Sequence, residues 1–140
     1  METIASTTTS SHSAERPAYD RLATTANLLK FTFGLVPIVA GIDKFTHLLT
    51  NWNKYLAPVV TDILPFSTDA FMKMVGIIEI IAGVLVLVKP KIGALVVSLW
   101  LVGIAVNLLL TGEYFDVAVR DLVMAVGAFS LYLLLPGSSR

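Results

Sequence analysis

Eight side chains in this chain combine polar chemistry with apolar surroundings: Asp43, Lys44, His47, Lys73, Glu79, Asn107, Arg120 and Asp121. Ionisable groups set among apolar residues can pair with one another, exchange protons, or hydrogen-bond the polar head of a lipid-soluble molecule. The formal charges of Asp43, Lys44, Lys73, Glu79, Arg120 and Asp121 sum to zero. Such a set can neutralise itself internally, which is what makes burial tolerable. Other chemistry is poorly provided for. There is no cysteine, so disulfides, thiol relays and thiolate metal sites are excluded. With only His12 and His47, a multi-histidine metal or haem site built by this chain alone is not expected. No nucleophile-base pair or phosphate loop is present, so the sequence does not point to an enzyme acting by itself.

The elements that carry these residues follow from composition. The chain has 140 residues, 56% hydrophobic and 14% charged, against about a quarter charged in ordinary soluble domains. A spanning helix takes about 20 predominantly apolar residues. Four such segments, a tail and short turns use the whole length. The expected fold is therefore all-α, an antiparallel bundle of four transmembrane helices over residues 23–136, preceded by a Ser/Thr-rich mobile tail over residues 1–22. A net charge of zero with no long basic run makes nucleic acid an unsuitable partner, and the lipid bilayer the expected one.

Span one covers Ala23 to Leu48 and contains Pro37, which removes one helical hydrogen bond and should kink it. Gly34 and Gly41 are seven residues apart and share a face suited to close helix approach. Span two runs from Thr68 to Val88, with Ser67 or Thr68 as N-cap. Span three runs from Ile92 to Leu110 after the turn at Lys89-Pro90-Lys91, and span four from Phe115 to Leu135, stopped by Pro136-Gly137. Between spans one and two, Trp52, Tyr55, Leu56, Val59, Val60, Ile63 and Leu64 recur at helical spacing around Pro58. This stretch reads equally as short interfacial helical turns or as an ordered loop packed on the bundle.

Lys89 and Lys91 share one turn, Arg16, Arg21 and Lys30 flank the start of span one, and Arg140 ends the chain. The positive-inside rule puts all of them, and so both termini, on the cytoplasmic side. The opposite loops then carry Glu113, Asp116 and Asp62 with Lys54 alone. Counted at 1.5 Å per residue, Lys73, Asn107, Arg120 and Asp121 fall within roughly 10 Å of that outer boundary, near Asp43 and Lys44. Glu79 lies roughly 16 Å deep. Gly76 and Gly83 flank it on the same face, marking that face as packed. Asp43 and His47 are spaced to bond within one helix.

Each site residue also has a plainer reading. Arg120 and Asp121 suit an ion-pair network fixing helix register, Lys44 and Lys73 suit snorkelling to headgroups, and His47 suits interfacial hydrogen bonding. Trp100 reads as packing, and Glu79 stands evenly between a functional and a structural role.

Gly41-Ile42-Asp43-Lys44-Phe45 late in span one, Glu79-Ile80-Ile81-Ala82-Gly83 in span two and the short basic turn before span three resemble the DoxX-like family of small four-helix membrane proteins. The resemblance covers Asn27 to Leu135. The Arg120-Asp121 pair and the Trp/Tyr-containing first loop depart from the family's general pattern. The resemblance implies a multi-pass protein of a prokaryotic inner membrane, an accessory or anchoring subunit of a quinone-linked redox complex. Its partners would be other membrane subunits and its ligand a quinone, with no covalently bound cofactor. Two other readings remain from the residues: a structural or assembly protein whose ion pairs only staple helices, and a small proton or solute carrier. The carrier is the weaker, because no internal repeat or broken-helix pair is seen.

Overall fold

In the computed structural model, residues 9–137 are described, with side chains described from Glu15 onward. Helix α1 runs Thr9–Thr46, a 3-10 turn spans Trp52–Tyr55, and α2 is the short helix Pro58–Ile63. The long helices α3, Thr68–Val88, α4, Pro90–Leu110, and α5, Phe115–Leu134, follow. The described residues contain no strand. Helices α1, α3, α4 and α5 are each long and apolar enough to cross a membrane, the make-up of a multi-pass membrane protein.

Span boundaries fall close to expectation, and the departures have local causes. Residue 22 is no secondary-structure boundary: the Ser/Thr-rich segment is helical from Thr9 and continuous with span one, while residues 1–8 lie outside the described residues. Just beyond that segment, at the start of span one, hydroxyls bond back along the helix, Thr24 to the Asp20 carbonyl and Thr25 to that of Arg21, each at 2.8 Å. Such back-bonding satisfies the side chain without breaking the helix. At 38 residues, α1 is about 57 Å long, nearly twice a hydrocarbon core. It continues through Pro37. Pro90 starts α4 rather than preceding it, since the first helical position needs no N–H donor. Ser67 caps α3, its Oγ accepting from the Ala70 amide at 3.2 Å.

Two seams hold the long helices. Along α1 and α3, which run antiparallel, Gly34 faces Gly83 and Gly41 faces Gly76. A Cβ on Gly41 would strike the Gly76 carbonyl, and one on Gly76 the Gly41 carbonyl, so the backbones touch at a separation only glycine permits. Along α4 and α5, Ser98 Oγ donates to the Ala125 carbonyl at 2.9 Å among buried Ala94, Ala105, Ala118 and Ala128. Lys91 Nζ donates to the Leu135 carbonyl at 2.7 Å and to that of Tyr132 at 3.3 Å, satisfying carbonyls that the end of α5 leaves unpaired.

The two seams are joined by α3 against α4, where Gly93 packs on the Val86 backbone. A first apolar core lies at the end where Lys89 links α3 to α4, from Phe33, Ala82, Val86, Ala94, Val97, Ala128 and Leu131. Gly127 lets the Phe33 ring reach α5 there. A second, smaller core of Ala105, Leu108 and Ala118 lies at the opposite, loop end, under Tyr55 and Tyr114. Large aliphatic side chains, Ile81, Leu99 and Val123 among them, cover the outside as lipid requires. Between the two cores the helices part.

Candidate functional site

The space between the cores is a cavity of about 650 Å³. Each long helix lends it one stripe at helical spacing: Phe33, Pro37, Ala40 and Lys44 from α1; Met72, Val75, Glu79 and Ala82 from α3; Trp100, Ile104 and Asn107 from α4; Val117, Asp121 and Met124 from α5. Trp52, Tyr55 and Leu56 close it at the loop end. Its walls are mostly apolar with few polar groups, the composition of a site for a lipid-soluble ligand.

The residues expected to form one polar layer sort into separate devices. Lys44 and Glu79 form a buried ion pair, Nζ to Oε2 2.5 Å, with side chains 4% and 7% exposed. The Lys44 ammonium also sits 3.8 Å from the centroid of the Trp52 ring. Carboxylate on one side and π-face on the other replace the water that a lysine needs. Gly76 leaves the room in which the Lys44 stem descends beside α3.

Asp43 is also buried, but it builds the loop. Its carboxylate accepts from the Leu48 amide at 2.8 Å, the Leu49 amide at 3.1 Å, Thr46 Oγ1 at 3.1 Å and Trp52 Nε1 at 2.7 Å. These bonds hold the chain through His47, whose φ of 53° is left-handed. They also fix the Trp52 ring over Lys44. His47 therefore does not bond the Asp43 side chain. Its amide donates to the Asp43 carbonyl at 2.7 Å, and its Nε2 lies 3.4 Å from Asp69. Asp69 also pairs with Lys73 at 2.8 Å, so His47, Asp69 and Lys73 make a half-exposed chain apart from the cavity.

Asn107 clamps the loop to α4: its Nδ2 donates to the Tyr55 carbonyl at 2.7 Å and its Oδ1 accepts from the Ala57 amide at 3.0 Å. Both ends of its amide are thus used. Arg120 touches the cavity wall, but its side chain is 74% exposed and reaches Asp116 at 3.5 Å on the outside of α5. It does not join Asp121. Asp121 is 8% exposed, lines the cavity, and makes no hydrogen bond or ion pair among the described residues. Lys44 and Glu79 are its charged neighbours.

Trp100 was not expected to be more than packing. It lines the cavity at mid-helix, and its Nε1 is buried without an acceptor. The other residues missed by sequence, Asp69, Asp116 and Trp52, act through partners far along the chain or one turn away on a face that periodicity alone does not distinguish. Among the described residues no cluster of His, Asp and Glu is arranged to hold a metal ion. Comparison with protein-family models, with curated proteins and with solved structures finds no match.

Proposed function

We propose that this is a multi-pass protein of a prokaryotic inner membrane, both termini cytoplasmic, serving as an accessory or anchoring subunit of a quinone-linked redox complex and holding the quinone between its helices. The observation that carries this reading is the 650 Å³ cavity, walled by apolar side chains of all four long helices and polar at a few points only. That volume lies within the range of about 300–1,000 Å³ used for small-molecule sites, enough for a ring and part of an isoprenoid tail. The resemblance of the Gly41–Phe45 and Glu79–Gly83 segments to DoxX-like proteins supplies the redox association. The basic turn at Lys89 and Lys91 supports the orientation.

The structural reading keeps one part of the site. Lys44 and Glu79 neutralise each other across the α1–α3 seam, which favours a role for that pair in fastening the two helices over a role in contacting ligand. Native purification in mild detergent, with lipid extraction and identification of co-purifying chains, tests the proposal. A near-stoichiometric quinone together with partner subunits is expected. A lone protein free of quinone overturns it.

A further inference from the structure

The charges on the cavity wall do not balance. Helix α1 brings Lys44, α3 brings Glu79, α5 brings Arg120 and Asp121, and the loop adds Tyr55; α4 brings no ionisable group. Lys44 is paired with Glu79, and Arg120 turns outward to Asp116. His47 and Lys73 meet Asp69 away from the cavity. Asp121 is left on the wall, more than nine-tenths buried, with no hydrogen bond or ion pair to any described residue. When it is ionised, the cavity carries one negative charge in excess. A single positive charge brought in from outside would cancel it.

The rest of the wall narrows the kind of cation. A metal ion needs several oxygen ligands, and the described residues hold no such cluster. A compact ammonium carries more N–H donors than one carboxylate takes up, and the remaining wall is mainly apolar. A cation shielded by hydrocarbon or aromatic groups has no donors to satisfy and suits apolar contact. The rings of Phe33, Tyr55, Phe71 and Trp100 line the same space, and aromatic faces attract such a charge. Access is also provided. Thr32 and Val36 of α1 and Arg120 of α5 border the cavity while exposed on the outside of the bundle, so it opens sideways between these helices.

We infer that the cavity also takes a singly charged lipophilic organic cation from the bilayer, held against the Asp121 carboxylate. This goes beyond the quinone reading and does not depend on it, since it needs only the cavity and its uncancelled carboxylate. The cation pairs with the ionised carboxylate alone, so it competes with a proton for the same group. Any proton that Asp121 holds in the empty cavity is released to solvent when the cation binds. Cation binding therefore weakens as pH falls.

The test measures retention of radiolabelled tetraphenylphosphonium on the full-length protein in phosphatidylcholine nanodiscs, against empty nanodiscs. Saturable retention is expected at about pH 8, falling toward about tenfold weaker per unit once the proton outcompetes the cation on the way to about pH 5. Tetraphenylsilane, the uncharged isostere added with the lipid, should displace the label at least about tenfold less well than unlabelled tetraphenylphosphonium does. Neither arm requires a variant to fold. Asp121→Asn, which keeps the shape and removes the charge, should weaken retention at pH 8 by at least about tenfold and flatten its pH dependence. No retention above empty nanodiscs, equal displacement by the isostere, a flat pH profile, or unchanged retention by folded Asp121→Asn overturns the inference. Retention of decylubiquinone by the same nanodiscs, measured separately, decides the quinone reading, so either can fail while the other stands.

Discussion

The α1–α3 seam and the α4–α5 seam each deliver a buried carboxylate to the same cavity, yet they treat it differently. Glu79 on the first is met by Lys44, whose ammonium is in turn covered by Trp52, itself held by Asp43. Asp121 on the second has no hydrogen bond or ion pair with any described residue. The first seam is closed backbone to backbone by opposed glycines. The second closes on alanines and one serine hydroxyl, and then opens toward the cavity. A charge neutralised across a seam fastens the two helices it joins, whereas a carboxyl that no described residue neutralises is left to whatever enters the cavity.

The strongest way to break the first seam is to add bulk where it has no space. Gly76→Leu puts a side chain against the Gly41 carbonyl and the Lys44 stem. Backbone cannot yield as a side chain end can, so α1 should separate from α3 and no folded protein should survive detergent extraction. Size-exclusion chromatography of the extract reads the outcome, and a monodisperse variant of normal thermal stability contradicts the packing described.

Next in size is the pair itself. Lys44→Met leaves Glu79 buried without a cation, which should cost about 3–5 kcal/mol in a denaturant titration. Lys44→Met with Glu79→Met removes both charges and should recover most of that loss, because apolar replacements of a buried pair are often neutral or stabilising. A double variant as unstable as the single one would show that the methionines fail to pack, not that the charges matter.

This partition explains what sequence could reveal. Spans three and four and the limits of span two follow from apolar length and from Pro and Gly punctuation, because a bilayer imposes a length on any helix that crosses it. The glycine seam was legible too: a spacing of seven in Gly34/Gly41 and again in Gly76/Gly83 keeps small residues on one face. Pairing was not. Depth counted along each helix put Lys73, Arg120 and Asp121 in one layer, but depth says nothing of azimuth, and at 100° per residue two neighbours can face lipid and cavity. Nor does any local signal tie Asp43 to Trp52 or Asn107 to Tyr55, contacts made by a loop that returns over the helix ends. The helical start of α1 at Thr9 was hidden by composition, since a Ser/Thr-rich run without an apolar period reads as a loop.

On the second seam, the same reasoning predicts an opposite sign. Asp121→Leu removes a carboxyl that no described residue pairs and fills part of the cavity, so stability should rise by about 1–2 kcal/mol while retention of a quinone falls. Thermal unfolding in detergent, set beside retention of decylubiquinone by the protein in nanodiscs, measures both. Loss of stability in this variant would mean that Asp121 holds the fold after all, and the contrast between the seams would fail.

The smallest effect belongs to the residue beside it. Arg120 and Asp121 are adjacent in sequence and look like a ready-made pair, but successive side chains on a helix diverge by about 100°, too far to meet across one turn. Arg120 accordingly reaches back to Asp116, four residues earlier, with both side chains more than two-thirds exposed. An exposed pair of this kind contributes little, so Arg120→Gln should change stability by less than about 0.5 kcal/mol and leave quinone retention as it was. One position separates this substitution from Asp121→Leu, so depth and local sequence are shared between them. With Arg120→Leu added to match the side chain introduced, a difference in effect reports which side of α5 each residue faces.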